Sequence, residues 1–536
     1  MEPSWTSWGT TQPELPPAAQ ALLQSRLGEL TPSVPAAIET AELPPSRLRR
    51  TVLTRLIEAV GDEGVLVDDA ARARHAGGQA YADLIRRRAG DAAQAPDAVV
   101  VPRDAAAVAE VLRICTDDYV AVVPWGGGTS VVGGLDAERG GCTGLIALDL
   151  SRLDRLLSVD PTSMLATFEP GIRTPEAERL LAEHGLTLGH VPQSFERASL
   201  GGYAVTRSAG QASTGVGRFD DLVAGLRLAT PVGELVLEPI GGSAAGPDLR
   251  RLVLGSEGTL GVVTEVTVRV RRIPAVRKYE GWMAPSWDAG LAGLRRIAQD
   301  GPHPDIIRLS DPNETQVSMT MSSAGPAVKR LLSAYLRARR VRNGCLVIVG
   351  FDGTADDVRH RREYVAETLR ASRCAPLGKR AGHAWEHNRF AAPMLRDTLL
   401  DAGALAETLE TAATWTHLPA VYEAVRGSLR TSLGDGAVVG CHVSHIYPTG
   451  ASLYFTIIAA ADPDRRIEQW IEAKNAVNEA IVSAGGTITH HHAVGTAHRD
   501  YVEPDLGGPV GVAMLRAVKQ AVDPRGVLNP GKLLPD

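Results

Sequence analysis

The sequence predicts an α+β fold, and three patterns along the chain support this. From Pro96 to Leu150 short apolar strands alternate with a helix. Residues 264–272 alternate β-branched and polar side chains, as a half-buried strand does. Beyond Pro274 long amphipathic helices separate single strands, and residues 437–458 have the pattern of an antiparallel hairpin. A second α+β domain with an antiparallel sheet is therefore expected after Pro274.

The individual elements are placed by apolar runs and by the turn residues between them. Residues 51–90 have a helical pattern and follow an irregular arm rich in Pro, Ser and Thr. Pro175 marks a helix start, because the first turn of a helix does not need its N–H group. The predicted strands span residues 98–101, 119–123, 144–150, 165–169, 345–351, 437–447 and 452–458, the predicted helices span residues 104–115, 174–184, 325–340, 355–371 and 464–484, and a hairpin spans residues 221–238.

Composition bounds the classes of protein that this chain can represent. A length of 536 residues allows two or more domains, and a net charge of −6 gives no electrostatic footprint for nucleic acid. The five cysteines are scattered and lack zinc-ligand spacing, which favours a reducing compartment without disulfides. The first residues lack the pattern of a signal peptide, and no apolar run has the length of a membrane span. We expect a cytoplasmic protein, a location compatible with peripheral contact at a membrane.

Residues 124–135 directly follow a predicted strand and are the most informative stretch of the chain. Gly126 to Gly128 allow positive φ and bring several N–H groups close to a ligand, and Thr129 and Ser130 add hydroxyl donors. Such a loop suits a pyrophosphate, and a tight turn between strands is the alternative. No G-x-G-x-x-G motif follows an early strand, and Leu533 stands where a Walker loop needs Ser or Thr, so neither a Rossmann nor a Walker site is supported.

Two further segments are rich in glycine and polar residues. Residues 193–210 are too many for a simple turn, and a loop that wraps a large polar ligand has this composition, as does an ordinary surface loop. Gly255 to Val263 supplies glycines for close approach directly before a strand, and the entry into that strand is the alternative explanation.

Three adjacent histidines, His490, His491 and His492, cannot all point the same way on an extended segment. One of them can face a cavity, where an imidazole that titrates near neutrality is suited to abstract a proton. Adjacent zinc ligands have poor geometry, and no carboxylate or cysteine accompanies them at motif spacing, so we expect no metal there. A solvated run of histidines is the remaining alternative.

Three side chains of the second half have both a functional and a structural explanation. Arg308 and Arg396 lie among apolar neighbours, where arginine often binds carboxylate or phosphate through two hydrogen bonds. A buried salt bridge is the alternative for each, and Asp397 is a local partner type for Arg396. Tyr454 is a candidate acid or base, although a core tyrosine with a bonded hydroxyl is more common.

Together these stretches resemble the FAD-binding family of the vanillyl-alcohol oxidase type, also called the p-cresol methylhydroxylase type, and within it the alkyldihydroxyacetonephosphate synthases. The likeness runs from about Ala76 to Leu534, with a weaker one over Trp5 to Thr10. Four stretches look like the flavin-contacting stretches of that family, in the same order. They consist of Pro124, Trp125, Gly126, Gly127, Gly128, Thr129 and Ser130; of Gln193, Ser194, Phe195, Glu196, Arg197, Ala198 and Ser199; of Thr206, Arg207, Ser208 and Ala209; and of Glu257, Gly258, Thr259, Leu260, Gly261, Val262 and Val263.

The resemblance implies a p-cresol methylhydroxylase-type FAD-binding domain of two α+β subdomains, and an α+β cap domain with an antiparallel sheet over the isoalloxazine ring. It implies FAD bound without a covalent link, which agrees with the absence of His between residues 116 and 183. The implied segmentation is 1–91 for an N-terminal arm and helical region, 92–274 for the FAD-binding domain, 275–500 for the substrate-binding cap, and 501–536 for a C-terminal segment that returns to the FAD domain.

The reaction implied by the resemblance exchanges the acyl chain of acyl-dihydroxyacetone phosphate for a fatty alcohol in ether-lipid synthesis, through a bond between substrate carbon and flavin N5. The eukaryotic synthases have Gly and Lys where this chain has Ala493 and Thr496, so the substrate is less constrained than the cofactor. The roles carried over are proton removal from the reacting carbon by His491 with His490 and His492 beside it, acid/base action by Tyr454, binding of the substrate's anionic group by Arg396, and support of the site near the flavin by Arg308.

Other functions share parts of this pattern. An FAD-dependent D-2-hydroxy acid dehydrogenase or oxidase has the same fold, but that subfamily more often has a Glu-His pair where this chain has three histidines. A non-catalytic flavin- or lipid-binding protein and a zinc-dependent hydrolase are further alternatives. The expected partner is thus a lipid-like or 2-hydroxy acid small molecule rather than nucleic acid, and peripheral membrane contact and a homodimer are compatible with the sequence.

Overall fold

A computed structural model of the chain describes residues 4–9, 13–321 and 325–535, so Thr10 of the weaker N-terminal likeness lies outside the described residues. In these ranges short strands dominate the first half and longer strands the second. The strands are β1 (Val65–Leu66), β2 (Ala98–Val100), β3 (Val120–Trp125), β4 (Gly144–Asp149), β5 (Leu156–Asp160), β6 (Leu165–Phe168), β7 (Leu186–Thr187), β8 (Val223–Thr230), β9 (Gly233–Leu237), β10 (Val262–Arg269), β11 (Arg271–Arg272), β12 (Val276–Ala284), β13 (Ile306–Ser310), β14 (Cys345–Gly353), β15 (Ala375–Gly378), β16 (Ala404–Thr414), β17 (Val438–Tyr447) and β18 (Gly450–Ala460).

The helices vary from single turns to 18 residues. They are α1 (Pro17–Leu27), α2 (Arg50–Val60), α3 (Asp69–Arg74), α4 (Tyr81–Arg88), α5 (Ala105–Asp118), α6 (Thr174–Ala182), α7 (Leu200–Thr206), α8 (Ser213–Val216), α9 (Phe219–Leu222), α10 (Arg250–Val253), α11 (Trp287–Asp300), α12 (Pro312–Met321), α13 (Pro326–Ala338), α14 (Ala355–Ala371), α15 (Lys379–Asn388), α16 (Ala392–Asp401), α17 (Leu418–Leu433), α18 (Arg466–Ser483) and α19 (Gly508–Val522).

The strands and helices predicted between residues 98 and 484 are found with ends that differ by a few residues. Residues 51–90 differ from the helical expectation, because strand β1 lies between α2 and α3. The backbone of Val65 and Leu66 pairs with β2, and the Asp68 side chain accepts the N–H of Ala71 at 2.9 Å to begin α3. A pairing partner more than 30 residues away thus decides this segment, and a helical period cannot reveal it.

The chain divides into two compact units, which we name the glycine-loop unit (Pro35–Gly210, Gly217–Arg272 and His491–Asp536) and the seven-stranded unit (the described residues of Met1–Val34, Gln211–Val216 and Ile273–His490). This division differs from the segmentation expected from the sequence. The expected N-terminal segment is divided: its described residues up to Val34 belong to the seven-stranded unit, and the rest, from Pro35, belongs to the glycine-loop unit. In the seven-stranded unit the N–H of Ser33 donates to the carbonyl of Asp401 at 2.9 Å. Long-range contacts of this kind leave no periodic signal in the sequence.

The glycine-loop unit contains two main sheets. A four-stranded sheet has the order β1-β2-β4-β3, in which β2, β4 and β3 are parallel, and α2 and α5 bury apolar side chains against it. A five-stranded antiparallel sheet has the order β5-β6-β10-β8-β9, with a core that includes Phe168, Leu181 and Phe219. These are two α+β layers, as the sequence predicts.

The C-terminal segment joins the parallel sheet of the glycine-loop unit. The N–H of Val122 donates to the carbonyl of Val527 at 2.8 Å, and the N–H of Asn529 donates to the carbonyl of Val122 at 2.8 Å. Val527 and Leu528 are fully buried in the core of that sheet. The tail is therefore an additional edge of the sheet that carries the glycine loop.

The seven-stranded unit is built on one antiparallel sheet with the order β15-β12-β14-β13-β17-β18-β16. Helices α17 and α18 pack together, as do α11 and α14. Strands β16 and β18 pair along their whole length, from Ala404 opposite Ala460 to Thr414 opposite Gly450. Across the described ranges no helix combines the length and apolar character that crossing a membrane requires.

We predict that Leu528→Ala lowers the free energy of unfolding of the glycine-loop unit by about 2–5 kcal/mol, because it removes a fully buried side chain and leaves a cavity. Urea denaturation followed by circular dichroism measures the change. Val510→Ala truncates a side chain that is 72% exposed and should change the stability by less than about 0.5 kcal/mol. Equal effects of the two substitutions would contradict the structural role assigned to the tail.

Candidate functional site

Strand β3 ends at Trp125 and continues into the partly exposed loop 126–131. A Cβ atom on Gly127 would lie 2.1 Å from the carbonyl oxygen of Arg197, so only glycine allows the loop to contact residues 197–199. The first and second predicted flavin stretches are therefore neighbours in the folded glycine-loop unit. The glycine at position 127 is thus required by the contact of its backbone with residues 197–199, in addition to any requirement of the turn itself.

The other two predicted stretches converge on the same place. A Cβ atom on Gly258 would lie 2.8 Å from Cγ of Pro124, and the N–H of Glu257 donates to the carbonyl of Val205 at 2.9 Å. Residues 193–210 are not one continuous loop, as the sequence suggested, because α7 occupies the middle of the segment. The Ser199 hydroxyl caps this helix by accepting the N–H of Gly202 at 3.3 Å.

These four stretches together fit a dinucleotide cofactor such as FAD. The partly exposed loop contains backbone N–H groups and the hydroxyls of Thr129 and Ser130, which are the kinds of donor that a pyrophosphate requires. Directly before Glu257, the first residue of the fourth stretch, the hydroxyl oxygen of Ser256 is buried and has no hydrogen-bond partner among the described residues. A buried polar atom without a partner is costly, which is consistent with a ligand group that completes it.

The sequence did not indicate the residues that stabilise the glycine loop by hydrogen bonds to its backbone. The N–H of Gln79 donates to the carbonyl of Ser130 at 2.6 Å, and the buried carboxylate of Asp83 accepts the N–H of Gly78 at 2.9 Å. The side-chain amide of Asn529 donates to the carbonyls of Gly134 at 3.2 Å and Glu257 at 2.7 Å. No local motif marks Asn529, because its partners are remote in sequence, and the role of Asp83 depends on the contact of residues 78 and 79 with the distant glycine loop.

Glu257, predicted as a cofactor contact, also forms hydrogen bonds with the backbone inside the glycine-loop unit. Its buried carboxylate accepts the N–H groups of Val494 and Gly495, each at 2.8 Å, directly after the histidine run. Burial raises the pKa of Glu257 to about 7, against the lowering effect of these hydrogen bonds. Ala493 adopts a positive φ of 73°, at the position where the eukaryotic pattern has Gly.

Two of the three histidines lie in the glycine-loop unit, since the compact units divide between His490 and His491. The rings of His491 and His492 meet edge to face with centroids 4.7 Å apart. Farther along, the Thr496 hydroxyl donates to Asp136 at 3.1 Å, where the eukaryotic pattern has Lys. Burial raises the pKa of Asp136 to about 7.

In the seven-stranded unit, the register of three strands places His442, Tyr454 and Glu410 opposite one another on β17, β18 and β16. Residues that pair directly share a face of the sheet, so the three side chains form a row, which we call the polar row. The rings of His442 and Tyr454 stack with centroids 5.0 Å apart and planes 28° apart. Tyr454 therefore has two polar neighbours that the sequence did not indicate.

The hydroxyl of Tyr454 is protonated at neutral pH. Burial raises its pKa to about 12, although the hydrogen bond with Thr408 and the charge of Arg396 act in the opposite direction. Glu407 and Glu410 contribute to the rise. The neutral phenol can thus donate a proton and can accept one only as part of a concerted transfer.

Arg308 forms an ion pair with Glu314, so the salt-bridge interpretation of this residue is what the structure displays. Glu314 also lies 3.1 Å from Nδ1 of His442 through both of its oxygens. Burial by itself would raise the pKa of Glu314, but Arg308 and His442 hold it at about 2. The carboxylate is consequently charged and links Arg308 to the polar row.

Arg396 lies in the same unit with a largely buried side chain, and its Nη1 is 4.0 Å from the Glu407 carboxylate. Asp397, the local partner type expected from the sequence, accepts the N–H groups of Trp8 at 2.7 Å and Gly9 at 3.4 Å. The weak N-terminal likeness thus corresponds to a segment that anchors the residue following Arg396.

Glu410 is the second residue that sequence reasoning missed in the polar row. Its carboxylate accepts the Thr489 hydroxyl at 2.6 Å and the N–H of His490 at 2.7 Å. The His490 ring is held through Nε2, which lies 2.6 Å from the Tyr447 hydroxyl. Glu410 thereby connects the start of the histidine run to the strand opposite Tyr454.

Comparison with known proteins gives two family matches. A family model described as "FAD binding domain" matches residues 96–237, and one described as "FAD linked oxidases, C-terminal domain" matches residues 273–533. Both descriptions name FAD, which confirms the predicted cofactor. A p-cresol methylhydroxylase structure has a TM-score of 0.66 at 15% identity over 90% of this chain and 96% of its own, which confirms the fold.

Two curated relatives and a solved structure are synthases. The alkyldihydroxyacetonephosphate synthase of Trypanosoma brucei brucei is 31% identical over 94% of this chain and 84% of its own length. That of Dictyostelium discoideum is 32% identical over 87% of this chain and 78% of its own. A solved alkyldihydroxyacetonephosphate synthase structure has a TM-score of 0.84 at 28% identity and covers 99% of both chains.

Lys474 on α18 is buried near Glu410 and Glu407, and burial lowers its pKa from 10.5 to about 8 despite these carboxylates. Between pH 8 and 10.5 the unfolded chain binds a proton that folded Lys474 has released, so this residue makes stability rise with pH. We predict that the stability of wild type relative to Lys474→Met increases by up to about 3 kcal/mol across that window. Urea denaturation at several pH values measures it.

The matched control is Lys379→Met, which removes an exposed lysine from the same unit. The difference in stability between wild type and this variant should not increase between pH 8 and 10.5. A pH-independent difference for Lys474→Met would show that the buried lysine does not titrate in this window.

Proposed function

Because the chain belongs to the alkyldihydroxyacetonephosphate synthase family, we propose that it is an FAD-dependent enzyme that exchanges the acyl chain of acyl-dihydroxyacetone phosphate for a fatty alcohol. In balance, the ester carbon–oxygen bond of the substrate breaks, an ether bond to the alcohol oxygen forms, and the proton of the alcohol ends on the released fatty acid. The observation that carries the proposal is the polar row, in which a protonated Tyr454 lies between His442 and Glu410.

The proposal assigns a role to three side chains of the site. Tyr454 acts as acid/base, since its hydroxyl is protonated at neutral pH and is held among polar neighbours. His491 removes a proton from the reacting carbon, and the adjacent backbone is held by Glu257 through Val494 and Gly495. Arg396 binds the substrate's phosphate, a role supported by its largely buried guanidinium.

The four stretches around the glycine loop would hold FAD without a covalent link. Bound FAD supplies an electron-accepting ring that assists departure of the fatty acid. Arg308 acts indirectly, through the ion pair with Glu314 that leads to the polar row.

The test is the visible spectrum of the purified flavoprotein, recorded before and after addition of palmitoyl-dihydroxyacetone phosphate and then of hexadecanol. We expect flavin absorbance to fall with the first substrate, to recover with the alcohol, and an ether lipid to accumulate. Tyr454→Phe should lower kcat by about 10²- to 10⁴-fold with FAD still bound, because a positioned acid/base group contributes that much.

Several outcomes would contradict the proposal. Loss of absorbance with D-lactate or D-2-hydroxyglutarate, but not with the lipid, would favour the 2-hydroxy acid oxidoreductase. Full turnover of Tyr454→Phe would remove Tyr454 from the mechanism. Flavin that stays with the protein after denaturation would contradict non-covalent binding.

We also propose peripheral contact with an anionic membrane through α13 and the turn after it. Residues 325–344 contain six cations and no acidic residue, and the exposed side chains of Val328 (56%) and Leu331 (76%) lie among them. A basic helix with exposed apolar side chains matches a surface of anionic lipids, where charge attraction and apolar insertion add together. Such contact would bring the enzyme to its lipid substrates.

The triple variant Lys329→Gln, Arg330→Gln, Arg337→Gln should bind vesicles containing phosphatidylglycerol about 10²-fold more weakly than wild type, because each cation contributes about 1 kcal/mol near an anionic surface. Vesicle co-sedimentation measures the binding. Arg295→Gln, Arg296→Gln, Arg359→Gln neutralises three exposed arginines on α11 and α14 and is the matched control. Equal losses in both triple variants, or equal binding to neutral vesicles, would overturn this proposal.

A further inference from the structure

We propose that His442 is a positioning residue that fixes the ring of Tyr454, and that Glu314, held by Arg308, fixes His442. This inference rests on the proposed function, in which Tyr454 acts as acid/base. It assigns three side chains outside the histidine run to one device on the seven-stranded sheet.

The contact between His442 and Tyr454 is set by backbone pairing. The two residues lie directly opposite each other on β17 and β18, and their rings stack with centroids 5.0 Å apart. His442 is 5% exposed, whereas Tyr454 is partly exposed. A buried, fixed imidazole therefore covers one face of the tyrosine ring and restricts its rotation.

The position of Glu314 follows from the corner between β13 and α12. Asp311 begins α12 by accepting the N–H of Glu314 at 2.7 Å, and it also accepts the Tyr422 hydroxyl at 2.9 Å. A Cβ atom on Gly440 would lie 3.1 Å from Cβ of Glu314, so glycine at this position allows the helix to approach β17 closely. Glu314 thereby reaches His442, two residues farther along the same strand.

The Glu314 carboxylate fixes which nitrogen of His442 faces it. Glu314 is a carboxylate, which can only accept hydrogen bonds, so Nδ1 of His442 must carry a hydrogen. This hydrogen bond fixes the orientation of the imidazole ring that stacks on Tyr454. The other charged groups that act on Glu314 or Tyr454 are Arg308 on β13, Glu407 and Glu410 on β16, and Arg396 on α16.

Fixing the tyrosine ring affects the rate because proton transfer depends on geometry. A displacement of about 1 Å in a reacting group can cost about 10²-fold in rate. Arg308 and Glu314 touch neither FAD nor substrate in this scheme, and they act on the reaction only through His442. The device thus accounts for an arginine that is engaged in an ion pair rather than available for a ligand.

The test compares Glu314→Gln and His442→Phe with wild type, with kcat expressed per bound FAD. We expect each to lower kcat by about 10- to 100-fold and to change KM by less than about twofold. Glu280→Gln is the matched control, since it disrupts the ion pair between buried Glu280 on β12 of the same sheet and Arg362 on α14, and it should leave kcat per FAD unchanged. A purely structural role would reduce FAD content or thermal stability but not kcat per FAD, and that result would overturn the inference.

A double-mutant cycle separates this inference from the proposed function. If His442 acts through Tyr454, His442→Phe should add no further loss of kcat to Tyr454→Phe. A large loss in Tyr454→Phe with a fully additive loss from His442→Phe would overturn the positioning role while leaving the proposed function intact. Full turnover of Tyr454→Phe would instead reject the assigned role of Tyr454, and with it the device that positions it.

Discussion

The pairing register of β17, β18 and β16 is the constraint on which the arrangement of polar groups in the seven-stranded unit depends. It places His442, Tyr454 and Glu410 side by side, although Glu410 comes from a strand that is more than 40 residues from Tyr454 along the chain. A slip of one residue would turn each strand's side chains to the other face. Buried apolar residues on the opposite face, such as Leu453 and Phe455, therefore specify the polar row as much as the polar residues do.

Buried charged groups in the seven-stranded unit are neutralised within connected series of ion pairs and hydrogen bonds rather than in isolated ion pairs. Arg308 neutralises Glu314, Glu314 orients His442, and Glu410 combines the charge of Lys474 with hydrogen bonds from Thr489 and His490. Burying a charge without such partners is costly. Each group is thereby restricted to one geometry, which is the requirement for directional proton transfer.

The glycine-loop unit meets a different requirement, which is close approach of backbone to ligand. At Gly127 and Gly258 a Cβ atom would collide with neighbouring residues, so both positions require glycine. The close contacts that these glycines allow bring the four predicted stretches together. The C-terminal tail supports the arrangement from the other side, through the pairing of Leu528 with β3 and the amide of Asn529. The candidate cofactor site is thus formed by the whole unit rather than by one loop.

The sequence by itself determined the elements, the FAD-type loops and the candidate residues Arg308, Arg396, Tyr454 and His490–His492. These carry local signals: apolar periodicity, glycine clusters and polar residues in apolar surroundings. Only the tertiary structure decided that Arg308 is paired with Glu314, that His442 and Glu410 flank Tyr454, and that strand β1 interrupts the first helical region. The pairings of β16 with β18 and of β1 with β2 join residues that are distant in the chain, and no periodicity or spacing in a single sequence reveals them. His442 and Arg308 have partners nearer in the chain, but only the folded hairpin and the turn into α12 show that these side chains are in contact.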